Sequence, residues 1–207
     1  MLSRVRREDG FTVVELAVAT AVTAVILVAV VSGLRVVVAS YGRVQDSGLA
    51  VDEGHFVLDR FDRDLRQASS VNRPTTVGAR VFVEYETDLT DTGSPSTCTQ
   101  WRFDGAVHTL DVRSWPVGAT SEPGFTTALA GVVDDPATEP PFVVTPAGAV
   151  ALHQQLTVTL RLALAHGQAL SRATVTARNS SASSPSNADA DGDGTSDSPV
   201  CTAFGRP

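Results

Sequence analysis

The sequence predicts an α+β chain: a long N-terminal helix, membrane-spanning in its first half and amphipathic in its second, packed on an antiparallel β-sheet. Three observations carry this expectation. Residues 11–40 hold 22 apolar residues in 30, in a chain that is 43% apolar as a whole. Apolar residues then recur at helical spacing as far as about Ala68. Beyond Pro74 the period of the pattern changes to two, the period of a strand.

The first element is the apolar run. A short leader, Met1 to Asp9, carries Arg4, Arg6 and Arg7. Nineteen uncharged residues, Leu16 to Leu34, separate Glu15 from Arg35. At ~1.5 Å per residue they span about 28 Å, close to the roughly 30 Å hydrocarbon core. The run is longer than the 7–15-residue core of a secretory signal and has no Ala-x-Ala exit. The simple reading is a signal anchor with its basic end inside and the remainder translocated.

The second element continues the helix. From Tyr41 to about Ala68 there is no proline, and Val51, Leu58, Phe61 and Leu65 fall on one face. Asp59, Asp62, Arg63 and Arg66 take the other side, and Asn72-Arg73-Pro74 is expected to end the segment. Gly33, Gly42, Gly48 and Gly54 each weaken a helix by roughly 1 kcal/mol against Ala. They mark either bends or close packing.

The strands come next. Val81, Val83 and Tyr85 alternate with Phe82, Glu84 and Glu86. Trp101 and Phe103 precede Asp104-Gly105, and Val107, Leu110 and Val112 follow, which is a hairpin signal. Residues 116–149 are rich in Pro and Gly and read as loop, with a turn at Asp134-Asp135-Pro136. The alternation from Leu156 to Leu164 is the clearest strand, His166-Gly167-Gln168 reads as a turn, and Arg172 to Arg178 as its partner. Helix first and antiparallel strands afterwards is an α+β layer arrangement.

Charge and cysteine content restrict function. From Tyr41 onward there are 12 Arg against 20 acidic residues, a balance that argues against a nucleic-acid surface, which needs clustered cations. Two cysteines exclude a disulfide-dense scaffold and a four-cysteine zinc site. The histidines, at 55, 108, 153 and 166, have no metal-ligand spacing, and no nucleophile elbow or phosphate loop occurs, so no enzyme activity is expected.

Glu15 is the residue the anchor reading does not absorb. A carboxylate within a membrane segment costs a few kcal/mol and marks a functional candidate. The run Gly10-Phe11-Thr12-Val13-Val14-Glu15-Leu16 resembles the class III signal of type IV pilins and type II secretion pseudopilins. The resemblance covers the leader and about the first 30 residues after it. It implies a pilin-like fold and cleavage between Gly10 and Phe11 by a prepilin peptidase. It also implies N-methylation of the new Phe11 amine, and Glu15 receiving the amine of a neighbouring subunit during assembly. The alternative for Glu15 is a snorkelling or tolerated carboxylate. Phe61-Asp62-Arg63-Asp64-Leu65-Arg66-Gln67-Ala68 and Ala177-Arg178-Asn179 resemble segments of J-type minor pseudopilins and W-type minor pilins, which implies a place near a filament tip. The implied partners are other subunits of the filament, the peptidase and an inner-membrane assembly platform. The implied location is a single-pass membrane protein with its N-terminus cytoplasmic, then a periplasmic or extracellular filament.

The expected organisation is therefore a leader (1–10), a membrane and filament-core helix (11–39), its amphipathic half (40–72), a β-rich domain (73–179) and a flexible Ser/Asp-rich tail (180–207). In the tail, Asp189, Asp191, Asp193 and Asp197 stand at positions 1, 3, 5 and 9 of a loop with Gly194 at 6 and the Thr195 carbonyl at 7. This resembles the start of an EF-hand-type or thrombospondin type 3 calcium loop. Position 12 is Val200 in place of a bidentate acid, so the loop is either a weak Ca²⁺ site or a solvated acidic tail. No cofactor is required. Cys98 and Cys201, both on the extracytoplasmic side, are either a disulfide or two free thiols. A second function stays open beside the filament subunit, a membrane-anchored, calcium-dependent binding or adhesion module. A third is a secretion component that contacts exported substrate.

Overall fold

The computed structural model describes residues 12–88, 95–133, 139–164 and 167–207, with side chains throughout except at 42–47, 49 and 50. Gly10, Phe11, Asp134, Asp135 and His166 lie outside the described residues. The chain divides into two compact units, Met1–Gln45 and Asp46–Pro207. One helix, α1 (Val13–Leu65), contributes residues to both.

In the first unit the apolar residues of α1 are exposed. A 29-residue stretch, Val13–Tyr41, has a mean hydropathy of 2.5 with no part of it buried, and by length and composition it is sufficient to cross a membrane. Its hydroxyls suit an apolar medium, because Thr20 donates to Leu16 O (3.0 Å) and Thr23 to Ala19 O (2.7 Å). Each hydroxyl is thereby satisfied within its own helix.

Among the described residues of the second unit, nine strands follow the helix: β1 (Ala68–Val71), β2 (Thr75–Val77), β3 (Arg80–Thr87), β4 (Thr97–Asp104), β5 (Thr109–Pro116), β6 (Thr126–Ala130), β7 (Phe142–Thr145), β8 (Gln155–Leu164) and β9 (Gly167–Thr176). All pairs are antiparallel. One sheet runs β1-β3-β4-β5-β6 with β2 added on β3, and a second runs β7-β8-β9. The expected single sheet is thus two. They are stitched edge to edge after β6, where Val132 bridges Leu162 and Val133 N donates to Arg161 O (2.7 Å).

Val57, Leu58, Phe61 and Leu65 of α1 are buried in one core with Val81, Val83 and Tyr85 of β3, Trp101 and Phe103 of β4, and Leu156 to Leu162 of β8. Phe61 is fully buried and stacks on Trp101 with ring centroids 4.1 Å apart. Trp101 donates its indole N–H to the Tyr85 hydroxyl (3.1 Å), so the polar atoms inside this core are paired. Burial pushes the Tyr85 phenol well above its ordinary pKa, and the nearby Asp64 charge adds to the shift. Two i,i+4 ion pairs lie on α1: Asp62–Arg66 toward solvent, and Arg60–Asp64 at the border of the core, where Arg60 stands over the Trp101 ring at 5.3 Å. Gly54 marks close packing, since a Cβ there would come within 2.9 Å of Ser171 Oγ on β9.

Several boundaries differ from the expected ones. The helix ends at Leu65 and residues 68–71 form β1, paired with β3. Ser69-Ser70-Val71 is a poor helical sequence, and the ladder to β3 takes its backbone groups. The stretch 116–149 contains β6 and β7, both too short to show a period. The last strand begins at Gly167 and ends at Thr176, so Ala177-Arg178-Asn179 follows it. The Asp104-Gly105 hairpin joins β4 to β5 as expected. Burial alone would raise the Asp104 carboxyl. Hydrogen bonds from Arg80 and the Ala106 N–H, with the charges of Arg80 and Arg102, overcome it and hold the group below its ordinary value.

Because Phe61 fills the centre of this core, Phe61→Ala is expected to lower stability by about 3–5 kcal/mol. Chemical denaturation of the full chain in detergent, followed by tryptophan fluorescence, measures the loss.

Candidate functional site

Glu15 lies in the first turn of α1, and the sequence around it forms a reciprocal cap. Glu15 N donates to Thr12 Oγ1 (3.2 Å), while Thr12 N (3.4 Å) and Thr12 Oγ1 (3.2 Å) donate to Glu15 Oε2. This is a capping box, a Thr-x-x-Glu pattern that ties up free donors at a helix start. The pattern Thr12-Val13-Val14-Glu15 is readable in the sequence, although neither expectation for Glu15, a partner for another chain or a tolerated carboxylate, includes it. The carboxylate has a second role, since it caps its own helix.

The second candidate region is the C-terminal segment, whose composition reads as a flexible linker and acidic tail. Among the described residues it is instead bound closely to the first sheet. Ser184 Oγ donates to Ser69 O (2.6 Å) and the buried Ser186 Oγ to Val71 O (2.8 Å), which covers the outer edge of β1. Ser196 Oγ accepts from Arg73 N (3.0 Å) and donates to Ser186 O (2.7 Å). Asn72 holds Val200 at both backbone groups, donating to its carbonyl (2.8 Å) and accepting from its N–H (2.9 Å). Serine and asparagine give linker composition, but here their short side chains act as hydrogen-bond partners for an exposed strand edge.

The chain then crosses the face of the sheet turned away from α1. Cys201 is disulfide-bonded to Cys98 of β4, with Cα atoms 5.4 Å apart, so the disulfide expectation holds. Phe204 packs edge-on against Trp115, with centroids 5.3 Å apart. Arg113 donates to the Gly205 carbonyl (2.6 Å) and to Glu122. Arg206 donates twice to Glu84, at 2.8 and 2.9 Å. Glu84 is 2% exposed and also accepts from Gln100 (2.8 Å) and Asn72 (3.2 Å). The alternation in β3 therefore does not separate a wet face from a dry one. The Phe82 and Glu84 side is buried under the C-terminal segment.

The aspartate loop lies between these anchors. Asp189, Asp191 and Asp197 each bring a carboxylate oxygen within 4.8 Å of the others. Asp197 N donates to Ala188 O (3.0 Å) and Ala190 N to Asp197 Oδ2 (2.8 Å), closing the loop on itself. Gly192 and Gly194 adopt φ of 72° and 83°, the left-handed region where a side chain is strained. Asp193 is not part of the group, contrary to the spacing argument. Its Oδ1 accepts from the N–H and hydroxyl of Thr195, both at 2.7 Å, and these bonds hold its carboxyl below the ordinary range. Val200, at position 12, has both backbone groups on Asn72.

Asp189 is the buried member of the three. Its side chain is 9% exposed, Oδ2 lies 3.4 Å from Arg73 Nη1, and Oδ1 is sealed from solvent without a hydrogen-bond partner. The Arg73 contribution had no signal in the sequence, because it comes from the link between β1 and β2, more than a hundred residues away. Three carboxylates converging on one point can hold a hard cation through oxygen ligands.

Searches of family models, of curated proteins and of solved structures find no match to this chain.

Arg206 is the charge partner of a buried carboxylate. Arg206→Ala is expected to cost roughly 2–3 kcal/mol, less than for a fully buried pair because the guanidinium is partly exposed. Adding Glu84→Gln should recover most of that loss, since no charge is then stranded. Unfolding midpoints of the two single variants and the double variant measure the coupling.

Proposed function

We propose that this chain is a non-catalytic subunit of a type IV pilus-like or type II secretion filament, a minor pilin or pseudopilin. The observation that carries the reading is the combination at the N-terminus. A Gly10-Phe11 junction stands just before a helix whose apolar residues are exposed from Val13 to Tyr41, with Glu15 the single acid in that stretch. An apolar surface of this length needs lipid or other copies of such a helix around it. A filament supplies both in turn, the membrane before assembly and neighbouring helices afterwards.

On this reading a prepilin peptidase cuts after Gly10 and methylates the Phe11 amine. The subunit then enters the filament through an assembly platform in the membrane. The Glu15 carboxylate leaves its bonds to Thr12 and receives the amine of a neighbour, so two groups that are costly in hydrocarbon neutralise each other. The α+β unit beyond Gln45, with its disulfide, suits an oxidising extracytoplasmic space. The short resemblances at Phe61–Ala68 and Ala177–Asn179 favour the J/W type, and with it a place near the filament tip.

Mass spectrometry of the chain from its native membrane is expected to find Phe11 at the N-terminus with one added methyl group. An intact Met1 would sink the filament reading in favour of a plain anchor. Glu15→Ala is expected to reduce incorporation into filaments roughly a hundredfold or more. Stranding one partner of a buried pair costs about 3–5 kcal/mol. Incorporation at the wild-type level would remove the assembly role of Glu15.

A further inference from the structure

The turn between β7 and β8 presents apolar side chains that the fold does not use. Val150 is 97% exposed and Leu152 84%, the highest values among the described large apolar residues of the second unit. Single exposed apolar residues are ordinary, but here Gly148 and Ala149 are exposed beside them, and no charged residue occurs from Phe142 to Gln155. The turn is also held at both feet. Asn187 accepts from Ala147 N (2.7 Å) and donates to Ala147 O (3.0 Å), and Gly148 N donates to Ala151 O (2.7 Å). At the other foot Gln154 N donates to Ser180 Oγ (2.7 Å), and the Gln154 side chain bonds both backbone groups of Val71. The apolar pair is thus displayed on a fixed base.

What borders the pair is acidic. Asn187, which clamps one foot, leads directly into the aspartate loop, whose Asp191, Asp193 and Asp197 are exposed. Arg73 lies against Asp189, and the exposed Arg178 stands two residues before Ser180. Even with both counted against the four aspartates, the border stays net negative. An apolar centre with a charged rim is the layout of a protein docking surface. The sign of the rim selects the occupant. A lipid surface is disfavoured, because anionic headgroups attract cations. A second copy is disfavoured as well. The groove of about 530 Å³ between α1 and β6 carries Asp52 and Glu53, and the groove of about 300 Å³ at Phe142 to Val144 is bordered by the aspartate loop itself. Either would set acid against acid.

We propose that the β7–β8 turn is a docking knob for a different protein. Val150 and Leu152 enter an apolar cleft whose rim carries Lys or Arg against Asp191, Asp193 and Asp197. The apolar pair supplies affinity, through area removed from water on binding. The aspartates supply orientation and rate, through an attraction that salt screens. The knob does not depend on the filament reading, and either can fail without the other.

The test places the photo-reactive residue p-benzoylphenylalanine at position 150 of the full chain in its native membrane. Illumination is expected to join it to one protein other than this chain, at a cleft residue next to Lys or Arg. Capture counts only through the measurements that follow. The captured protein, purified and titrated against the full oxidised chain in detergent, should bind one to one. Leu152→Asp should weaken that binding roughly tenfold or more, since the burial of one leucine is lost. Asp191→Asn combined with Asp197→Asn should weaken it several-fold, as should raising salt from about 0.1 to 1 M. All variants are expected to unfold at the wild-type temperature, because Leu152 is 84% exposed and Asn retains an acceptor for Asp193 N and Ala190 N. Crosslinking to lipid, to this chain, to a mixture of unrelated proteins or to nothing would overturn the knob. So would binding indifferent to Leu152→Asp. Binding indifferent to salt and to the aspartate variants would overturn the cationic rim.

Discussion

A carboxylate on the central part of a sheet, closed off from water, must be given partners, and the C-terminal segment of this protein is arranged around that requirement. Glu84 sits on β3, a strand bonded to β1, β2 and β4, where a side chain is expected to meet solvent or another layer. It meets Arg206, Gln100 and Asn72. Isolated, such a charge would cost several kcal/mol. With three donors it becomes a fixed point for residues far apart in sequence. Asn72 also holds Val200, and Gln100 accepts from Arg113, which holds Gly205. Burial of one charge thus specifies the path of the last residues over the sheet, and Cys98–Cys201 fixes the same path covalently.

The N-terminal unit follows a different rule. Among its described residues, the threonine hydroxyls and the Glu15–Thr12 cap are satisfied within the helix. Its apolar side chains from Val13 to Tyr41 are exposed. That combination, complete internal hydrogen bonding with an unburied apolar surface, is what hydrocarbon selects for. In such a medium the cap at Glu15 has a consequence for assembly. On the proposed filament reading, a carboxylate already bonded to Thr12 has a lower cost of waiting in the membrane, and a cationic partner must outcompete those bonds. Bonds to the ionised carboxylate are charge-assisted in either case, so what such a partner adds is its full opposite charge in a low-dielectric medium.

The sequence made the periodic elements legible. Val51, Leu58, Phe61 and Leu65 recur on one helical face and all pack toward the core, because the second half of α1 repeats the signal over about four turns. The same is true of β8, where ten residues alternate without a break. Elements of four or five residues carry no period, so β1, β6 and β7 were hidden, and β1 was absorbed into the helix before it. The C-terminal segment was misread for another reason. Composition distinguishes residues that build a core from those that do not, and serines fall on the second side. It is silent on whether an unpaired strand edge awaits them. Residues such as Ser186, fully buried against Val71 and Ser70, become structural through that edge alone. The aspartate spacing was legible as a loop, but which carboxylates converge in it was not. Asp193 turns to Thr195 instead, and Arg73 enters from the link between β1 and β2.

The position of the aspartate loop follows from the same constraint that began at Glu84. Between the Ser186 anchor on β1 and the Cys201 anchor on β4 the chain must leave one edge of the sheet, turn and cross onto its face. No apolar residue from Asn187 to Pro199 is larger than alanine or proline, so hydrophobic burial has little to hold this turn with. What holds it is polar: Ser196 on Arg73, Asp189 on Arg73, and left-handed glycines at 192 and 194 that let the backbone reverse. Polar contacts of this kind individually contribute about 0.5–1.5 kcal/mol, which makes the turn the least secured part of an otherwise well-anchored segment.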